Sequence, residues 1–201
     1  MHSQLASHVD YADETFTGLH LAHASLAGST FADCTFSGCH FMEAVWSDCR
    51  FVGCTFHACD LSLAQLPGTG FSATRFEDCR LPGIDWTRAA WPRVMSGSPV
   101  GFWRSVVSHS TFIGLSLPRL QLKDCTAIDV DFREADLSRA DFGGTDLGET
   151  LFGDTNLTQA DLSRARNYQI DPGRNTLKRA RFSLPEALSL LYSLDIVLLD
   201  S

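Results

Sequence analysis

Large apolar residues return at every fifth position of this chain. From Tyr11 the series runs through Phe16, Leu21, Leu26, Phe31, Phe36, Phe41, Trp46, Phe51, Phe56, Leu61, Leu66, Phe71, Phe76, Leu81, Trp86 and Trp91. A second series starts at Phe102 and continues through Val107, Phe112, Leu117, Leu122, Ala127, Phe132, Leu137, Phe142, Leu147, Phe152, Leu157 and Leu162. With 44% apolar residues overall, thirty matches in thirty have a chance probability of roughly 10⁻¹¹. Helices and strands have periods of about 3.6 and 2, so neither produces this pattern. Two residues before each large position stands a smaller one, as at Cys34, Cys39, Ala44, Cys49, Thr69, Thr74, Ala135, Ala140 and Thr155. One large and one small inward residue in every five predict a tightly turning coil whose remaining residues face solvent.

The two series differ in phase by one residue, which predicts one extra residue between 92 and 101. Pro92, Gly97, Pro99 and Gly101 supply turn chemistry there, so a bulge or short projecting loop is expected, with Arg93, Val94 and Met95 as its outward candidates. It is read either as a tolerated insertion or as a partner contact, since loops on rigid scaffolds often carry recognition. After Leu162 the pattern fades. The reading is a repeat body over 1–166, interrupted at 92–101, and a terminal segment over 167–201. Ser183-Leu184-Pro185-Glu186 has the form of a capping box with an early proline and predicts a short helix over 187–194. The apolar run Ile196-Val197-Leu198-Leu199 then either covers the last coil or meets a second copy of the chain. A symmetric dimer is expected, through Leu184, Leu188, Leu191, Leu194, Ile196, Val197 and Leu198.

Ala135-Asp136-Leu137-Ser138-Arg139 and Ala160-Asp161-Leu162-Ser163-Arg164 resemble the A-(D/N)-L-x-x signature of the pentapeptide-repeat family. The resemblance covers nearly the whole chain. It implies an all-β solenoid, a right-handed quadrilateral β-helix with one repeat per side and twenty residues per coil, ending in a short α-helical dimerisation cap. On that geometry Cys34 stacks on Cys54, and Cys39 on Cys59 and Cys79, about 4.8 Å apart. All seven cysteines occupy the small inward position, so they are read as core residues rather than as metal ligands, disulfides or nucleophiles. His20 and His40 share an outward column with Asp60 and Arg80, and two histidines alone make a poor ligand set for a metal.

The net charge is −8, which disfavours direct nucleic-acid binding and favours a basic protein partner. Residues 124–161 hold ten acids and two arginines, so this segment accounts for the whole balance. A twenty-residue coil puts Asp129 over Glu149 and Glu134 over Asp154, on adjacent faces that also carry Asp131 and Asp146. Like charges on neighbouring strands repel. They are either solvated skin or a surface for a basic partner. A filled rod offers no cleft, and its carboxylates lack a matched base or nucleophile, so no enzyme and no cofactor or metal is expected. With neither a basic, apolar start nor an apolar run of about 18 residues, a soluble, cytoplasmic protein without a membrane span is expected.

The carboxyl-terminal stretches Asn167-Tyr168-Gln169-Ile170-Asp171-Pro172 and Arg179-Ala180-Arg181-Phe182-Ser183-Leu184-Pro185-Glu186-Ala187 resemble pentapeptide-repeat proteins that protect type II topoisomerases. The similarity is to the albicidin-resistance and microcin B17-immunity kinds and, more widely, to the quinolone-resistance kind. It implies a homodimer that imitates duplex DNA, binds DNA gyrase and protects it from a poison. The loop is shorter than that of the quinolone-resistance members, and a second insertion is missing. A structural or scaffolding rod with another protein client is the alternative.

Overall fold

In the computed structural model, which describes residues 5–92, 98–194 and 196, the chain winds into a four-sided solenoid with every strand pairing parallel. One face carries the strands Asp10–Ala12, Thr30–Ala32, Arg50–Val52 and Gly70–Ser72. The next carries Thr15–Thr17, Thr35–Ser37, Thr55–His57, Thr74–Glu77, Val100–Trp103 and Gln121–Lys123. The third and fourth faces are held largely by single bridges, such as His20 to His40 and Asp131 to Leu151. Partners are twenty residues apart, as in Phe16 with Phe36 and Phe36 with Phe56. The column Phe16, Phe36, Phe56, Phe76, Phe102, Leu122, Phe142, Leu162, Phe182 makes eight such steps, so the rod has about eight coils.

The large residues fill the axis. Phe16, Phe36, Phe56, Phe76 and Phe102 stack in sequence with ring centroids 4.6 to 5.4 Å apart. Adjacent faces meet edge to face, as Phe31 does with Phe36 at 5.4 Å, the arrangement favoured by the ring quadrupole. Among the described residues, the core is therefore one continuous column rather than a set of separate clusters.

Closing a square every twenty residues requires one sharp corner per five-residue repeat. Most corners place a residue in the left-handed region two positions after the large one, as at Asp33, Asp48, Asp78, Asp124 and Asp154, with φ between 52° and 55°. Aspartate and glycine tolerate this conformation better than most residues, and their recurrence is a five-residue signal additional to the two inward sets.

The small inward residues do more than save space. At some corners the N–H of the small residue closes a turn onto the carbonyl three residues back, as from Ala44 to Phe41 and from Ala160 to Leu157. At others the turn stays open, and that N–H needs another acceptor. It finds one in the side chain one coil further on. Cys49 N–H donates to Thr69 Oγ1 at 3.3 Å, Cys79 N–H to Ser105 Oγ at 3.0 Å, and Cys125 N–H to Thr145 Oγ1 at 3.2 Å. Cys39 and Cys59 N–H reach the sulfurs of Cys59 and Cys79, both at 3.4 Å. The accepting hydroxyl then donates back to the first coil, Thr69 to the Trp46 carbonyl at 2.7 Å and Thr145 to that of Leu122 at 2.6 Å. Alanine stands where no such acceptor is required: Ala64 lies over the closed turn at Ala44, and Ala135 over that at Leu115. Cysteine, serine and threonine thus complete the open turns beneath Cys59, Thr69, Cys79, Ser105 and Thr145, although Thr155 stands over the closed turn at Ala135.

Two expectations need correction. The coil at the break is longer by six residues rather than one: Phe76 pairs with Phe102 and Cys79 N–H reaches Ser105, each a separation of twenty-six. Phase reports length only modulo five, so one residue and one repeat plus one residue look alike in sequence. Arg93, Val94 and Met95 lie outside the described residues. The second correction concerns the end of the rod. The ladder runs past residue 166, with Asn156 bridging Thr176 and Asp161–Leu162 pairing with Arg181–Phe182. In this last coil the inward side chains are Tyr168 and Ile170, both buried, while positions 167 and 172 of the extrapolated series hold asparagine and proline. A local slip breaks the pattern: Asp154 N–H bonds to a carbonyl twenty residues ahead, at Arg174, whereas Leu157 N–H returns to nineteen at Thr176.

Removing the acceptor above an open turn tests the role of the small residue. Thr145→Val keeps the shape but strands the buried Cys125 N–H, and is expected to lower unfolding free energy by about 1–3 kcal/mol. Thr145→Ser should recover most of that loss. Equal stability of Thr145→Val and the native chain in urea melts would contradict the assignment.

Candidate functional site: the charged corners and the carboxyl-terminal cap

Corner side chains project furthest from the rod. On the third and fourth faces the corners of the carboxyl-terminal coils carry Asp129, Glu149, Glu134 and Asp154, all with φ between 55° and 61°. All four are exposed. Asp129 faces His109 Nδ1 at 3.0 Å, whereas Glu134, Glu149 and Asp154 form no ion pair among the described residues. The expected stacks of like charge are thus present at two adjacent corners. Arg119, Arg139 and Arg179 occupy the corner of the first face, again with positive φ, so the acidic and basic ridges run along different corners of the same coils.

Asp131 and Asp146 have another role. Each sits on the strand, half-buried, and accepts the backbone N–H two residues on, from Arg133 at 3.0 Å and from Gly148 at 3.2 Å. Asp136, Asp141 and Asp161 do the same for Ser138, Gly143 and Ser163. The aspartate of the repeat is thus a local turn fastener of the Asx type. The Arg133 guanidinium grips Asp131 through two bonds of 3.0 and 2.7 Å and holds its carboxyl below the usual range. Burial works against ionisation of Asp146, yet the Asn167 amide, the Gly148 N–H and Arg166 outweigh it and also hold the carboxyl low. Of the six acids picked from the sequence, four make the exposed ridges and two are engaged within the coils.

The cap holds the expected short helix but not the expected capping box. A single turn of 3₁₀ helix, Glu186–Leu188, leads into a short α-helix, Ser189–Tyr192, and neither has a side-chain N-cap. Ser183 and Glu186 do not form a capping box. They serve the last coil instead: Ser183 Oγ accepts the Arg164 N–H at 2.9 Å, and Glu186 Oε1 accepts the Asn167 N–H. Those amides end the ladder and would otherwise lack acceptors, which decides where the two side chains go. Leu190 packs onto the core. Leu184, Leu188, Leu194 and Ile196 are exposed, Leu184 at 77%, and Leu191 is half-buried. Val197 and Leu198 lie outside the described residues.

All seven cysteines are free and buried. Burial pushes the Cys54 thiol up to about 11 and that of Cys125 up to about 12, so both are neutral hydrogen-bonding core groups near neutral pH. The His20 and His40 rings stack in parallel at 4.8 Å, a geometry that does not converge their nitrogens on one point. Among the described residues no group of three or more potential ligands surrounds a metal-sized position, and no helix is long and apolar enough to cross a membrane.

Two family models describe this pattern, one for a pentapeptide repeat region over residues 29–104 and one for pentapeptide repeats in overlapping matches that together span 108–166. The chain belongs to the pentapeptide-repeat family. Pentapeptide-repeat structures that share its fold include QnrB1, described as a plasmid-mediated fluoroquinolone resistance protein. A trypsin-treated variant of QnrB1 superposes with a TM-score of 0.71 at 19% identity, covering 96% of this chain and 99% of that one. A second treated variant gives 0.71 at 19% identity over 97% and 99%, and the full-length protein 0.61 at 20% over 93% and 100%. At such identities the likeness is one of fold. No curated protein matches by sequence.

The lowered pKa values of Asp131 and Asp146 fix a sign for pH dependence. A carboxyl that titrates lower in the folded state adds stability above its unfolded value of about 4, and that stability is lost as pH falls through the folded value. Asp146→Asn should therefore melt below the native chain at pH 7, and the two should converge in acid as pH falls through the lowered folded value. A gap that persists unchanged in acid would contradict the ion-pair assignment.

Proposed function

We propose that this protein imitates the charge of duplex DNA, binds DNA gyrase as a homodimer and protects it from an albicidin-like or quinolone-like poison. The observation that carries this reading is the pair of exposed acidic corners at Asp129 and Glu149 and at Glu134 and Asp154. Where two corners each place one carboxylate per coil of about 4.8 Å, the local density is about one charge per 2.4 Å of axis. B-DNA carries about one per 1.7 Å. The match is local, because the net charge is only −8 for the whole chain. Eight coils at about 4.8 Å make a rod near 38 Å, and two joined through the exposed Leu184, Leu188, Leu194 and Ile196 make one of about twice that length. The shared fold with a fluoroquinolone resistance protein supports a role in resistance. The basic ridge at Arg119, Arg139 and Arg179 sits on another corner.

Purified protein should inhibit gyrase supercoiling or reduce drug-stabilised DNA cleavage. Replacing Asp129, Glu134, Glu149 and Asp154 together by lysine should weaken gyrase binding at least about tenfold, the equivalent of about 1.4 kcal/mol. The loss should diminish as salt rises. Lack of any effect of the native chain on gyrase would end the proposal, and unchanged binding by the charge-reversed variant would remove the acidic corners from it.

A further inference from the structure

The corner that ends the first face carries both signs of charge in separate blocks. From the amino terminus it reads Asp13, Asp33, Gly53 and Ala73, passes Pro99, and continues as Arg119 and Arg139, one residue per coil. Apart from Pro99, all have φ between 49° and 65°, so each marks the same sharp turn. The two aspartates and the two arginines are exposed, and neither aspartate forms an ion pair among the described residues. Like charges on neighbouring strands repel, yet this one ridge holds an acidic stack and a basic stack. Their spacing is symmetric. Asp33 and Arg119 lie two coils to either side of Ala73, and Asp13 and Arg139 lie three.

We propose that two copies of this chain pair side by side and antiparallel along this corner, about a twofold axis at Ala73. In that arrangement Arg119 and Arg139 of one copy face Asp33 and Asp13 of the other, and the symmetry repeats both pairs. Parallel pairing of the same ridges would set aspartate on aspartate and arginine on arginine. The middle of the contact is small: Gly53 has no side chain and Ala73 only a methyl group, so the ridges can approach closely there. The flanks fit the same axis. On the first face the outward column holds Ala32, Val52 and Pro118; the axis sets Ala32 against the Pro118 of the other copy, and Val52, 37% exposed, adds apolar area. On the second face Arg75 stands at the level of the axis, where two like charges would meet. Its guanidinium is turned aside, stacked on Trp103 at 3.8 Å and paired with Glu77. Exposed ion pairs on one narrow ridge are individually weak, so the contact is low in affinity and sensitive to salt. It uses none of the four acids proposed to meet gyrase and none of the leucines of the cap, and is therefore independent of gyrase binding and of end-to-end pairing.

The test uses the full chain in sedimentation equilibrium at about 0.01 M and about 1 M salt, where charges act over about 30 Å and about 3 Å. Self-association of the native chain should weaken at least about tenfold between the two. Arg119→Asp with Arg139→Asp, and separately Asp13→Arg with Asp33→Arg, should each lose the salt-sensitive part, because each variant carries one sign along the overlapping ridge. An equimolar mixture of the two variants should regain it, since their ridges are then opposite in sign throughout. Ala73→Cys places a thiol on the axis, and a short bis-maleimide should join two copies at low salt; the seven native cysteines are buried. End-to-end pairing would leave the introduced thiols about ten coils, near 48 Å, apart. A mixture that associates no better than either variant alone, or failure of the Ala73→Cys chains to cross-link, would overturn the proposal. So would self-association indifferent to salt, since that outcome assigns it to the apolar cap.

Discussion

Everything in this rod depends on coil-to-coil hydrogen bonding at a separation of twenty residues. A flat sheet has two edges and can satisfy its backbone by pairing sideways, but a square coil spends one residue in five on a corner where the regular ladder is interrupted. The corner N–H must then bond within its own turn or reach the next coil. An open turn calls for an accepting side chain at the small inward position one coil further on, as at Thr69, Ser105 and Thr145, whereas alanine suffices over a closed one, as at Ala64 and Ala135. Thr69, Ser105 and Thr145 each accept such an N–H, and Thr69 and Thr145 return a bond to the previous coil, to the carbonyls of Trp46 and Leu122. The stacked phenylalanines follow from this register rather than causing it, because side chains one coil apart are brought to the spacing at which aromatic rings stack.

The same constraint separates surface groups by their capacity to meet a partner. Strand aspartates are drawn into their own turns, as Asp131 and Asp146 are. Corner residues have no such backbone obligation and project outward. Function on this fold is therefore written mainly at the corners and the ends, and in this chain the corners of the carboxyl-terminal coils are acidic on two sides. Because the core is filled, chemistry inside the rod is confined to hydrogen bonding. The cap is the place where a helix laid against a coil leaves space.

Much of this was legible in the sequence. The five-residue period identifies the inward residues and the two stacks of corner acids, because periodicity depends on local spacing alone. The length of the inserted segment was not legible, since phase at Phe102 is blind to whole repeats. Nor was the last coil, where Tyr168 and Ile170 replace the regular inward positions after a slip near Asp154. Ser183 and Glu186 matched a capping box by spacing, yet the unsatisfied amides of Arg164 and Asn167 compete for the same oxygens and win. The division of the acids into turn fasteners and free corners was readable in principle: aspartates one residue before a large inward position fasten turns, and acids two residues after it face water.

The central claim is that acidic corners on a rigid rod stand in for the phosphates of duplex DNA. The most direct measurement is competition between this protein and linear duplex DNA for purified gyrase, followed at several salt concentrations. The account predicts mutually exclusive binding, with the affinity of the protein for gyrase falling as salt screens the charged interface. Simultaneous binding of both to gyrase, or an affinity indifferent to salt, would contradict it.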